Sequence, residues 1–435
     1  MFKVHPQVRA ALLEHGERAI AIARRRASQI RMTRTIWSIR DDGAWNGAEI
    51  EDVEVMPDIF SAWREPGLVD AIEAAISTHQ PELASVYVGC VGEGVGTHDP
   101  KRLLNVLVGA GFAVPDAAAA INAMLDELER EVNDGITAEW FVPLEGFGVA
   151  TSQPIEFPGG VVLRRFELED ANRWYSREES RRDSPFLPGA LFVGKSEAFI
   201  KVGQFPKELL EKKQPTPLEA VRPVVTALTL HKEGLIHPTT YRRHLRSPFS
   251  TGSWSPRGAQ IMGSYAIDDR DVEEVLAIAT HLSTVKVFPA MQLALDRLVE
   301  SSARSSPRDA ILDAVVGLEA LILDGADREG LRFRFAVHAA SLLPGDDVEA
   351  RRKRYREAYA LYGIRNKVAH ETLRDAKYMV GDESLTPRDV AKRARAMLRE
   401  AIRIMLRDAR DVPPGGTARE SFWQSFWLSR IYPKA

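Results

Sequence analysis

The chain has almost no cysteine: Cys90 is the only one among 435 residues. An intramolecular disulfide is therefore excluded, and several thiolates of one chain cannot assemble a zinc site. A thiol-poor chain suits a reducing cytoplasm. Long apolar runs are missing too. No stretch approaches the roughly 18 apolar residues of a membrane-spanning helix, so no membrane partner is expected. The N-terminus is basic, with Arg9, Arg18, Arg24, Arg25 and Arg26, but lacks the continuous apolar segment and cleavage site of a signal peptide. No repeat of about 20–50 residues recurs. Neither charge is in large excess: the net charge is −3, so contact with nucleic acid must come from a local patch.

What is present is enough apolar residues, 45%, for sizeable cores, and a length that calls for two or three domains. The fold class expected is α+β. Residues 1–135 read as a mixed, mainly helical region, with helices over Gln7–Ile30, Gly67–Ile76 and from Pro115-Asp116 to Val132, and a strand over Leu83–Cys90. Residues 136–267 read as a β-rich middle. Its apolar runs Trp140–Val142, Phe147–Val149, Val161–Leu163 and Ala198–Val202 are separated by Gly and Pro clusters. Within it, Leu218–His231 is helical, and Ser180–Pro188 and Ser247–Ser264 are loops. Residues 268–412 read as nearly all helix, over Val272–Leu282, Phe288–Ser302, Pro307–Leu323, Leu331–Leu343, Glu349–Thr372 and Thr386–Arg410. Residues 413–435 form a tail whose Phe422-Trp423-Gln424-Ser425-Phe426-Trp427 is too aromatic to stay free.

The densest chemistry lies in Arg365-Asn366-Lys367-Val368-Ala369-His370, near the end of a helical segment. Arg carries a permanent charge that fits phosphate oxygens, and His exchanges protons near neutrality. On an ideal helix Arg365 falls within an apolar stripe of Ala358, Leu361, Tyr362, Val368 and Ala369, beside a stripe of Tyr355, Tyr359, Asn366 and His370. A charge on an apolar face needs a partner. Glu319, on an apolar helix that reads as central, is expected to face Arg365, Arg332 or Arg334. Gly363 costs helix stability, which implies that a backbone or ligand approaches there. Arg365 and His370 point about 140° apart, so one helix aims them poorly at one phosphate, and two copies across a two-fold axis aim them better. His370 is expected near the helix C-terminus, whose dipole favours imidazolium.

These segments resemble a HEPN domain of the type found in Apea-like proteins. The resemblance rests on Ala314–Leu321, Phe333–Leu343 and Leu361–His370, in that order, and covers about residues 271–410. It implies an all-α HEPN-type bundle and a homodimer with a composite, metal-independent RNA-cleaving site. Arg365, Asn366 and His370 match the family's catalytic pattern, with Glu319, Tyr362 and Gly363 in support. The implied partner is RNA, with no metal and no cofactor. The implied setting is phage defence, a stress toxin or RNA processing, with residues 1–270 meeting a phage-derived or cellular trigger. Other HEPN domains are non-catalytic nucleotide-binding or scaffold modules, and that is the alternative. Glu371 stands where the family often has glycine, and an acid there either weakens phosphate binding or orients His370.

Arg351, Arg352, Lys353, Arg354, Arg356 and Lys367 are candidate RNA contacts, set against the reading of a solvated face. Lys392, Arg393, Arg395, Arg399, Arg403, Arg407 and Arg410 wrap their helix and read as surface. Tyr355, Tyr359 and Tyr362 read as core or dimer seam, with base stacking as the alternative. His338, among Ala and Val, reads as a core histidine. Gly89, Gly92, Gly94 and Gly96 match no phosphate-loop spacing and read as a turn. His231, His237 and His244 are too scattered for a metal site.

Overall fold

The computed structural model describes the chain apart from residues 41–44, 59–63, 93–94, 175–186, 251–262, 324–329, 344–346, 371–376, 410–411, 414–415 and 432–435. The fold is mixed α+β with a helical C-terminal region. Two compact units are built from interleaved stretches of chain. The first comprises Met1–Glu145, Gly160–Ala220 and Pro238–Gln260, and the second Gly146–Gly159, Val221–His237 and Ile261–Ala435.

In the first unit the chain runs through α1 (Pro6–Arg25), β1 (Ser28–Ile39), β2 (Trp45–Met56), α2 (Leu68–His79), β3 (Val86–Cys90), β4 (Val95–His98), α3 (Pro100–Phe112), α4 (Ala117–Asp134) and β5 (Ile136–Leu144). After β6 (Phe147–Ala150), which belongs to the second unit, come β7 (Val161–Arg165), α5 (Leu168–Trp174) and β8 (Ala190–Val202). Helix α6 (Pro217–His231) crosses into the second unit, and β9 (Arg242–Leu245) returns to the first. Strand β8 organises the sheet. It pairs antiparallel with β5 from Ile136↔Ala198 to Leu144↔Ala190, and on its other edge with β3 at one end and β7 at the other. Gly194 lies opposite Trp140, and a Cβ there would sit 2.2 Å from the indole, so the glycine makes room for the ring. Val8, Leu12, Ile72, Leu104, Ile121 and Leu125 of the helices form one buried core with Val86, Val88 and Ile200 of the sheet.

This sheet explains why residues 1–135 and the β-rich middle are not separate bodies. Strands β3 and β4 come from before position 135 but are hydrogen-bonded into the sheet that β8 organises. Two helical expectations are also corrected. The first helix stops at Arg25, and from Ser28 the chain is extended and paired with β2 from Ser28↔Met56 to Ile39↔Trp45. The β-branched and aromatic residues there, Ile30, Thr33, Thr35, Ile36, Trp37 and Ile39, override the helix-compatible arginines before it. Pro115 lies outside α4, whose N-cap is Asp116, its carboxylate accepting from the Ala119 amide at 2.9 Å. Helix α3 and the β1–β2 hairpin were not expected from the sequence. Most of the expected loops over 180–188 and 247–264 fall outside the described residues.

The second unit contains β6, most of α6, then β10 (Tyr265–Asp268), α7 (Asp269–Thr284), α8 (Pro289–Ala303), α9 (Pro307–Ile322), α10 (Leu331–Leu342) and α11 (Val348–His370). A hairpin of β11 (Tyr378–Val380) and β12 (Glu383–Leu385) turns at Gly381, and α12 (Pro387–Asp408) and α13 (Gly416–Ile431) complete it. Helix starts follow local chemistry: Asp268 forms a capping box with Asp271, and Ser306 and Thr386 cap helices with proline at the first turn. Helix α9 is central, with Ala310, Ile311, Ala314, Val315, Leu318, Leu321 and Ile322 buried. Gly317 lets its neighbours come close, since a Cβ there would lie 2.9 Å from Arg297 Cβ and 3.0 Å from Leu398 Cδ2. The tail docks: Trp423 and Trp427 are buried, Trp427 stacks on His338 at 4.1 Å, and Trp423 meets Phe288 edge-on.

Of the basic residues of α12 expected at the surface, Lys392, Arg403 and Arg407 are exposed, Arg410 lies outside the described residues, and Arg393, Arg395 and Arg399 are drawn inward by ion pairs. Arg395, Arg399 and Arg403 recur every four residues and share one stripe, aimed at the C-terminal end of α6. Arg399 Nε donates to the Thr229 carbonyl at 2.8 Å, and Arg403 donates to the Leu230 and His231 carbonyls, both at 2.9 Å. Arg395 and Arg399 hold Glu233 between them at 2.5 and 2.7 Å, and both arginine side chains are nearly buried. The last carbonyls of a helix lack intrahelical donors and carry the negative end of its dipole, so three cations fit there.

Candidate active site

Helix α11 carries the motif. Its inward side is set by Ala358, Leu361, Tyr362, Ile364 and Val368, all buried. Ala369, expected on that stripe, is exposed. The apolar face therefore turns Arg365 toward α9, where Arg365 Nη2 lies 3.1 Å from Glu319 Oε2. The side chains are 29% and 22% exposed, so the pair is mostly shielded from water. Glu319 also accepts from the Tyr362 hydroxyl at 3.2 Å. Burial, then the Glu319 charge, raises the Tyr362 phenol above its ordinary range, so it stays a hydrogen-bond donor. Tyr362 is packed against Phe335 with ring centroids 5.1 Å apart, which fixes its position. The second arm of the Arg365 guanidinium donates to Asn366 Oδ1 at 3.0 Å. The carboxylate partner anticipated for Arg365 is thus present. Arg332, another cation considered for Glu319, is engaged elsewhere.

The described part of α11 runs to His370, and the His370 side chain, Glu371 and Thr372, to which the helix was expected to reach, lie outside the described residues. One cation near this end was not anticipated. Arg308, in the first turn of α9, donates to the Ala369 carbonyl at 3.4 Å, immediately before His370. A cation at a helix C-terminus is favourable, but Arg308 is about 60 positions away in sequence, so no local pattern announces it.

Gly363 has a side-chain reason. Arg332 reaches from α10 across α11, and a Cβ at Gly363 would lie 2.6 Å from its Nη2. Arg332 Nε donates to the Tyr359 carbonyl at 3.0 Å, and its guanidinium lies 3.7 Å from the Tyr359 ring centre. What approaches the glycine is therefore a guanidinium, rather than a backbone.

The basic run divides. Arg351, Arg352, Lys353 and Lys367 are exposed. Arg352 also lies 3.7 Å from Glu349. Arg354 is committed to Glu357 and Glu400, and Arg356 to Glu349 and Asp382. Glu357 is 2% exposed and takes a second cation, Arg393, at 3.3 Å, so Arg354 serves a buried ionic cluster. Tyr362 is core, whereas Tyr355 is half-buried and Tyr359 exposed. His338 is largely covered. Burial lowers its pKa, and its Nδ1 lies 2.7 Å from the Ile322 carbonyl. His231 is used in an ionic cluster, 2.8 Å from Asp271 and 3.2 Å from Glu274. Among the described residues, no group of three or more His, Cys, Asp or Glu is placed to hold a metal ion.

The arrangement offers a fixed guanidinium and a carboxamide one turn before a helix end that carries a histidine. Such a set can bind a phosphate and move a proton beside it. Comparison with models of known protein families, with curated proteins and with solved structures finds no match to this chain.

Proposed function

We propose that the second unit is a HEPN-type, metal-independent endoribonuclease acting as a homodimer. The observation that carries this reading is the held guanidinium: Arg365 is braced by Glu319 and Asn366 one turn before the helix end at His370. A braced arginine loses less entropy when it meets a phosphate than a free one. In the proposed reaction a ribose 2′-hydroxyl attacks the adjacent phosphorus in line, forming the new P–O bond as the bond to the leaving 5′-oxygen breaks. His370 relays the proton, a contribution of about 10²–10⁴-fold. Arg365 meets the charge growing on the phosphoryl oxygens, and Asn366 positions the phosphate or the imidazole. The products are a 2′,3′-cyclic phosphate and a 5′-hydroxyl. Two copies of α11 across a two-fold axis complete the site, because one helix splays Arg365 and His370 apart by about 140°. In this reading the first unit meets a phage-derived or cellular trigger and restrains cleavage in a cytoplasmic defence or stress response.

One observation favours a second reading, a non-catalytic RNA- or nucleotide-binding or scaffold module. Glu319 already neutralises Arg365, which a module that merely holds a ligand tolerates better than a catalyst does. Purified protein incubated with total and structured RNAs in EDTA separates the two. Cleavage that is lost in Arg365→Ala and His370→Ala supports the enzyme. Equal cleavage by all three proteins removes it, and RNA binding without cleavage leaves the scaffold.

A further inference from the structure

Beside the motif, α10 and α11 carry an aromatic cluster that the cleavage mechanism does not use. The Tyr355 and Tyr359 rings are nearly parallel, 20° apart, with centroids 5.9 Å from each other. Phe333 meets Tyr355 edge-on at 6.2 Å, and the Arg332 guanidinium covers Tyr359. A core cluster would hide these rings, but Phe333 is 59% exposed and Tyr359 38%. Exposing them sacrifices apolar burial. One side of the cluster is held in place, because Arg332 donates to the Tyr359 carbonyl and fills the space that Gly363 leaves.

Its placement identifies the ligand. Positions 355, 359, 366 and 370 fall within about 60° of one another around α11 at 100° per residue, and span about 22 Å of its length. The rings therefore lie on the same stripe as Asn366 and the His370 position. The start of that helix adds exposed Arg351 and Arg352 close to the same stripe, while Lys353 faces away from it, with Glu349 and Asp382 the acids nearby that pair with Arg352 and Arg356. An exposed Phe333 ring, the guanidinium plane lying over a partly exposed Tyr359, and cations on the same side of the helix are what unpaired bases on a phosphate backbone require. A protein partner would be met by the apolar rings but would not call for the cationic lead-in.

We infer that Phe333, Tyr355, Tyr359 and Arg332 form a base-stacking platform that receives unpaired nucleotides of single-stranded RNA and leads the strand to the Arg365–His370 end of α11. The inference rests on the reading of this unit as RNA-binding, and it makes the substrate a single-stranded segment rather than a continuous duplex. Stacking is indifferent to base identity, so the platform selects for unpaired bases and not for a sequence.

The test is RNA binding by the full chain in EDTA, in a His370→Ala background so that cleavage does not intervene. Fluorescence anisotropy follows a labelled single-stranded RNA, a duplex of the same sequence, and an abasic strand of equal length and charge. The platform predicts that Phe333→Ala and Tyr359→Ala each weaken single-strand binding about tenfold, while Tyr359→Phe does not. It predicts a loss at least as large for the abasic strand, with little further loss when strand and variant are combined. The salt slope stays that of the unsubstituted background, because no phosphate contact is removed. Single-strand affinity unchanged in both alanine variants overturns the platform while leaving the nuclease reading intact. Variants that become monomeric, with RNA affinity falling only in step with dissociation, make the cluster a dimer seam and also overturn it. Absence of all RNA binding removes the platform and the proposed function together. Stacking-dependent binding in a protein that never cleaves upholds the platform and removes only the nuclease.

Discussion

Removing Glu319 asks whether the brace on Arg365 is energetically real. Arg365 Nη2 and Glu319 Oε2 are 3.1 Å apart, with side chains 29% and 22% exposed. The gross attraction at that separation is about 5 kcal/mol for an effective dielectric of about 20. Desolvation of both groups and the ordering of two long side chains offset most of it. Exposed pairs retain about 0.2–1 kcal/mol, and stripping one partner from a fully buried pair costs about 3–5 kcal/mol. A pair with about three-quarters of its surface covered falls between, so Glu319→Ala should cost about 2 kcal/mol. Glu319→Gln keeps an acceptor for the Tyr362 hydroxyl and should cost less. Because the chain has two units, a single unfolding midpoint is a poor readout. Hydrogen exchange of amides in α9 and α11 reads the affected helices directly. A double-mutant cycle with Arg365→Met isolates the pair, with a coupling of about 1–2 kcal/mol expected. If the nuclease reading holds, RNA cleavage by Glu319→Gln should drop by about tenfold or more, since a misplaced guanidinium no longer meets the transition state. A coupling below about 0.3 kcal/mol would refute the brace, because that is the level at which independent sites already add.

Other consequences follow from contacts elsewhere in the second unit. Arg399→Met strips a charge-assisted bond from the Thr229 carbonyl and one cation from Glu233. It should lower exchange protection over the last turns of α6 by about 1.5–3 kcal/mol, and unaltered protection counts against the clamp. Burial alone would raise the Asp271 carboxyl, but hydrogen bonds from Lys232 and His231 outweigh it and hold it down at about 2. A depressed folded-state pKa means stability that is present above the unfolded value, near 4, and lost as pH falls through the folded one. Asp271→Asn should therefore cost about 1–2 kcal/mol at pH 7, discounted for partial exposure, and the difference from the native chain should vanish between about pH 4 and 2. A gap that persists in acid denaturation at pH 2 contradicts this. Trp427→Ala removes the ring stacked on His338. It should cost about 3 kcal/mol and let the His338 pKa climb back toward its ordinary value, as the burial that lowers it is relieved. An unshifted histidine titration in the NMR spectrum tells against that contact.

Helices α6 to α12 were legible because their information is local. Their apolar positions repeat every three to four residues, and Asp268, Ser306 and Thr386 mark starts within one turn. The Arg365–Glu319 contact was legible for a related reason: a charge on an apolar stripe demands an opposite charge, and few acids occupy apolar surroundings. The β1–β2 hairpin was not, because helix α1 runs into a basic stretch that a helix accepts equally well until a partner strand claims it. Arg399 and Arg403 were not legible as helix caps, for want of the same long-range knowledge. Their spacing shows the stripe, but the carbonyls they cap are about 170 positions earlier in the chain.

The sequence by itself determined the helical character of the C-terminal region, the site of its densest chemistry and the need of Arg365 for an acid. Those follow from periodicity, residue type and the cost of an unpaired charge. Only the tertiary structure decided which carbonyls the arginines cap, that β3 and β8 share a sheet, and that Gly363 yields its space to Arg332. It alone separated Tyr362, buried, from Tyr359, exposed, on a single helix. The reason is physical: a helix fixes the angular position of each side chain within about a turn, whereas exposure depends on which remote segment comes to lie over it.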